Sequence, residues 1–287
     1  MKLATYQSES GPRAAGVRDD GFVDLNATDA DLPRSMKGLL GLGTEGIARA
    51  AAATQQGEPI SPDNVRLLAP VPQPQKVICI GLNYADHAKE SGSPIPDEPV
   101  VFNKFPTAIR GQGDPIELPG VSDQVDYEAE LVVIIGTGGR DISEENALSH
   151  VAGYTCGHDV SARDWQKGKP GGQWLLGKTF DSFAPIGPHL VTADEVGDPG
   201  NLNIRFRLNG ETLQDSNTRQ LIFSVPKLIS YLSTVCTLTT GDVLFTGTPP
   251  GVGAARDPQI FLKPGDIAEV EIEKLGLLSN PVISRSV

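Results

Sequence analysis

The chain has 287 residues, 39% of them hydrophobic and 6% aromatic, which is enough apolar content for a sizeable buried core in one large or two small domains. Its 24 Lys and Arg against 36 Asp and Glu leave a formal charge of −12. That balance excludes a nucleic-acid backbone as partner, which needs a basic surface, but not an anionic small substrate, because a bound cation can reverse the local field.

The three cysteines, Cys79, Cys156 and Cys236, form no CxxC pair, lie in apolar stretches, and argue against a disulfide framework or a cysteine zinc site. Met1–Thr5 lacks a basic region followed by a long apolar one, and no apolar run approaches the ~18 residues of a membrane span. The expectation is a soluble cytoplasmic protein without a membrane partner.

Residues 1–69 read as a small leading α/β module. Lys2–Tyr6 and Gly21–Leu25 are expected strands around the turn Arg18-Asp19-Asp20-Gly21, and Gly46–Thr54 is a helix by propensity. Pro70-Val71-Pro72-Gln73-Pro74 cannot be helical and marks the boundary to a second domain over 70–287. There, strands are expected at Lys76–Leu82, Val100–Asn103, Ala129–Ile135, Asn203–Leu208, Asp242–Thr246 and Ala268–Ile272, and helices at Glu144–Val151 and Ser224–Thr234. Leu131–Ile135 is continuously apolar, as in a strand buried on both faces. Without regular βα alternation the fold class is α+β, neither a Rossmann sheet nor a TIM barrel.

Two segments carry chemistry. In Tyr127-Glu128-Ala129-Glu130-Leu131, strand alternation sends both carboxylates to one face. A cation between them would relieve their repulsion; spacing alone leaves a solvated strand edge equally open. In Gly153–Gln166, Asp159 follows another strand-like stretch. Two Glu and one Asp offer only oxygen, which suits Mg²⁺ or Mn²⁺, with Ca²⁺ compatible. His158, turned to the opposite face, reads as structural.

In order along the chain, YEAELVVIIG, GYTCGHDVSARDWQ, WLLGKTFDSFAPIGP and GDVLFTGTPPGVG resemble the signature blocks of the fumarylacetoacetate hydrolase family. The resemblance covers residues from about 70 to 285 and implies a mixed β-roll, a homodimer, and Glu128, Glu130 and Asp159 as the Mg²⁺ or Mn²⁺ ligands. Ahead of these blocks, Asn83 can cap a short helix on which His87 and Glu90 share a face. By themselves they read as an incidental ion pair; the resemblance makes them a lid dyad that activates water. It also implies active-site roles for Lys178 and Thr248. Arg163 and Gln166 match substrate contacts, although for Arg163 a bracing salt bridge is equally open.

A 2-keto acid chelated to such a cation can form an enolate at C3. The first expectation is therefore hydrolytic C–C cleavage of an acylpyruvate or other 2,4-diketo acid. The alternative is tautomerisation or decarboxylation of oxaloacetate at the same site, where a base is also useful. A non-catalytic metal-binding scaffold is the remaining reading, which turnover of any 2-keto acid would dismiss.

Overall fold

The computed structural model describes residues 1–92 and 94–285. It opens on a meander of three strands, Lys2–Ser8, Gly11–Arg18 and Gly21–Asp24, where the sequence suggests only the outer two. The middle strand has little intrinsic propensity, with Gly11-Pro12 and Ala14-Ala15-Gly16; it is held by pairing on both sides, Ala4↔Ala15 and Val17↔Phe22 among others. Leu25, expected to close a strand, instead opens the helical turn Leu25–Thr28, in which Ala27 N donates to the side chain of the N-cap Asp24. The expected helix Gly46–Thr54 lies inside Gly43–Gln56.

Among the described residues, this meander is one end of an eleven-stranded sheet. From Lys2–Ser8 the order continues through Ala184–Thr192, Val151–His158, Ala129–Ile135, Val243–Phe245 and Val77–Gly81 to the edge strand Val100–Lys104. A five-stranded sheet of Glu211–Asn217, Asn203–Leu208, Ile267–Ile272, Gly276–Ser284 and Ile116–Leu118 packs against it, giving the α+β mixed β-roll. Three of the four expected helix and linker features keep their character, the helix within Gly43–Gln56 among them. The helix Val225–Val235 is capped by Ser224, and Pro70–Pro74 is neither helix nor strand, but Glu144–His150 is a 3₁₀ helix and Val151 starts the next strand.

The strand Ala129–Ile135 is the axis of the core. Leu131, Val133 and Ile135 point into the main cluster with Phe206, Val270 and Leu278. On the other face Ile134 meets Leu3, Leu25 and Leu39 of the leading segment, while Val132 packs with Val243 and Phe245. Every residue of this strand is buried, which is why the sequence shows an apolar run rather than alternation. The leading segment covers one face of the sheet that presents the carboxylates.

Candidate active site

Glu128 and Glu130 flank Ala129 at the start of the central strand, and Asp159 immediately follows the neighbouring strand Val151–His158. Antiparallel pairing, Ala129↔His158 and Glu130↔Gly157, brings these two strand ends together, and Asp159 N donates to Glu128 O at 2.9 Å. One carboxylate oxygen from each of the three residues falls within 4.8 Å of the others, and all three residues are buried.

Three buried cations hold this cluster. Lys178 Nζ donates to Glu128 Oε2 and Asp159 Oδ2, each at 2.8 Å. Arg163 spans Asp126 and Glu128, with Nε to Asp126 Oδ2 at 2.8 Å and Nη2 to Glu128 Oε1 at 2.7 Å. Lys104 Nζ lies 2.6 Å from Asp159 Oδ1 and donates to the carbonyls of Val160, Lys178 and Phe183. Burial works against ionised carboxylates, yet Lys178 and Arg163 hold Glu128 far below the ordinary carboxylate range. Glu130 is pushed well above it by burial and then by Asp159 and Glu128; its local donor is Gly247 N, 2.7 Å from Oε2.

The donor set fits a hard divalent cation. It is all oxygen, and it crowds like charges that a cation would separate. Glu128, Glu130 and Asp159 are the residues that would hold it.

The helix Ala85–Ser91 stands over the cluster. His87 Nδ1 is 3.0 Å from Glu90 Oε2, and Glu90 accepts from Gly251 N at 3.0 and 3.2 Å. Gly247 and Gly251, at φ 103° and 100°, give this turn the backbone that aims one amide at Glu130 and the other at Glu90. Asn83 does not cap the helix. Tyr84 holds the cap position without a side-chain bond, and Asn83 is buried, donating to Thr246 O and Phe223 O and accepting from Phe223 N.

Every expected site residue except Asp159 lines one cavity of about 460 Å³. Gln166 Oε1 accepts from Arg163 Nη1 at 3.0 Å, so Arg163 braces the site at three points. Thr248 Oγ1 accepts from Gln214 Nε2 at 2.9 Å, which leaves its own hydrogen free to donate. His158 is buried against Phe206, away from the cluster, and burial pushes its pKa down to about 3.

Sequence reasoning missed Asp126, Lys104 and Gln214. Asp126 continues the alternation of Glu128 and Glu130, and that spacing could have found it. Its oxygens are filled by Arg163 and by the amides of Tyr127, Gly253 and Ala254, so it anchors Arg163 rather than facing the cavity. Lys104 and Gln214 carry no local signal.

The family described as fumarylacetoacetate (FAA) hydrolase C-terminal matches residues 76–283. The chain belongs to the fumarylacetoacetate hydrolase family. It is 50% identical over 288 residues to oxaloacetate tautomerase fahd2, mitochondrial, of Xenopus laevis, across 99% of this chain and 90% of that protein. Among solved structures, the fumarylacetoacetate hydrolase of Exiguobacterium antarcticum is 38% identical with a TM-score of 0.86, covering 99% of this chain and 100% of its own. A maleylpyruvate hydrolase from Sphingobium sp. SYK-6, in complex with manganese(II) ion and pyruvate, is 32% identical with a TM-score of 0.83, covering 100% of both chains. The family includes enzymes named as hydrolases and as isomerases or tautomerases. The cytoplasmic expectation meets a counter-indication here, since the Xenopus relative is named mitochondrial. Among the described residues no helix is long and apolar enough to cross a membrane.

Proposed function

We propose that this chain is an oxaloacetate tautomerase that requires Mg²⁺ or Mn²⁺ and works as a homodimer. The observation that carries the reading is the His87–Glu90 pair, at 3.0 Å, lining the same cavity as Glu128, Glu130 and Lys178. It supplies an oriented base beside a site suited to a 2-keto acid, which is what moving a proton between carbon and oxygen needs. The half-identical relative named for this activity favours tautomerisation over cleavage.

Glu90, when ionised, can only accept a hydrogen bond, so it keeps the proton on His87 Nδ1 and leaves Nε2 as the basic nitrogen. His87 takes a proton from C3 of the keto form; the C–H electron pair becomes the C2=C3 double bond, and the C2 carbonyl pair moves onto oxygen. The protonated imidazole then returns the proton to that oxygen, giving the enol, and the reverse sequence restores the keto form. A divalent cation held by Glu128, Glu130 and Asp159 would supply Lewis acidity to the keto and carboxylate oxygens. Thr248 offers its free hydroxyl hydrogen, and Gln166 its amide, to the substrate carboxylate. Lys178, fixed between Glu128 and Asp159, places a positive charge where negative charge develops.

The likeness to maleylpyruvate hydrolase supports hydrolytic cleavage as the second reading, with the same dyad activating water. The test follows the ultraviolet absorbance of enol-oxaloacetate with Mg²⁺ or Mn²⁺ alongside a panel of acylpyruvates. Faster enol loss without cleavage is expected. Cleavage of a diketo acid without accelerated enol loss would replace the first reading by the second.

A further inference from the structure

The cations around the cavity differ in their commitments. Arg163 and Lys178 are buried and bonded to carboxylates, as is Lys104 behind them. Lys167 is different. It follows Gln166 as the C-cap of the helix Arg163–Gln166, its backbone N fixed to Arg163 O at 2.9 Å. Its side chain is exposed and lines the same cavity, and among the described residues its ammonium has no hydrogen-bond or ion-pair partner. The next lysine is drawn elsewhere, with Lys169 Nζ 4.5 Å above the Trp165 ring. A ligand whose keto-acid end sits against the carboxylate cluster therefore meets one uncommitted cation toward the mouth.

We infer that Lys167 receives the distal carboxylate of the substrate, so that the site prefers 2-keto dicarboxylates to 2-keto monocarboxylates. This rests on the 2-keto acid reading above and adds to it the residue that selects for a second carboxylate. An ammonium on a four-carbon stem suits the task, because it offers three rotatable donors and does not demand one fixed carboxylate geometry. Its exposure also sets the size of the effect, since a solvated ion pair changes affinity by only about two- to fivefold.

The experiment titrates wild type, Lys167→Met and Lys167→Glu with freshly dissolved oxaloacetate and with pyruvate, in Mg²⁺, and reads binding by tryptophan fluorescence. Trp174 lines the cavity, so the signal does not depend on turnover. Lys167→Met should weaken oxaloacetate about two- to fivefold and leave pyruvate within twofold of wild type; Lys167→Glu should weaken oxaloacetate further. Added salt should erode the wild-type preference and have little preference left to erode in Lys167→Met. Equal effects on both ligands, or none on oxaloacetate, would overturn the assignment. If wild type shows the dicarboxylate preference and Lys167→Met loses it, yet no enol turnover is found, the lysine assignment stands and the tautomerase reading falls.

Discussion

Lys104→Met is the most informative perturbation of the buried charge cluster. Lys104 is 1% exposed, pairs with Asp159 Oδ1 at 2.6 Å and donates to three backbone carbonyls. Methionine fills the space of the stem but leaves Asp159 facing Glu128 and Glu130 with Lys178 as its remaining cation. Removing one partner of a buried pair costs about 3–5 kcal/mol where the other charge is left under-compensated, and the Lys178 that remains to Asp159 is shared with Glu128. For a chain of this size that corresponds to a fall in Tm on the order of 10 °C. The assay is thermal and urea unfolding with and without Mg²⁺. Saturating Mg²⁺ should raise the Tm of the variant more than that of wild type, since a bound cation restores positive charge beside Asp159. A loss below about 1 kcal/mol, with equal Mg²⁺ responses, would show that Asp159 is not held as a buried ion, and the charge argument for the whole cluster would fail.

Three further outcomes are expected. Glu128→Ala, Glu130→Ala and Asp159→Ala should each abolish divalent-dependent enol turnover and Mn²⁺ binding seen by calorimetry; retention of both in all three would remove the metal assignment. His87→Ala should slow tautomerisation roughly 10²–10⁴-fold with Mn²⁺ affinity nearly unchanged, and a wild-type rate would exclude His87 as the proton carrier. Burial, with Lys2 adding to it, pushes His189 from 6.5 down to about 4, so the unfolded chain binds the extra proton in that interval. Stability from this residue is therefore complete above pH 6.5 and falls as pH drops toward 4. Urea unfolding of His189→Gln should show a flatter dependence over the same range, and parallel curves for variant and wild type would refute the assignment.

The residues that were readable in the sequence are those whose environment repeats with the local period. Leu131–Ile135 is apolar throughout because both faces of its strand are covered, and Glu128 and Glu130 share a side because alternation puts them there. The dyad is readable as a spacing of three on one helix. What the sequence hides depends on distant partners. Gly11–Arg18 becomes a strand because two neighbours pair with it, not by composition. Asn83 looks like a cap, yet its partners are Phe223 and Thr246, far along the chain. Lys104 finds its carbonyls at Val160, Lys178 and Phe183, and Gln214 joins Ala129 to Thr248; neither leaves a pattern in its own segment.

The turn through Gly247 and Gly251 donates one amide to Glu130 and another to Glu90. The carboxylates and the helix over them are thus registered to a single stretch of backbone, and their separation is set by that stretch rather than by direct contact. Errors in the two parts are correlated as a result. A substitution that tilts this turn, such as one forcing a side chain onto Gly247, displaces Glu130 and the His87–Glu90 pair together. Its signature would be loss of cation affinity together with a displaced His87–Glu90 pair, whereas Glu130→Ala leaves the Gly251 hold on Glu90 in place and His87→Ala leaves the cation site intact.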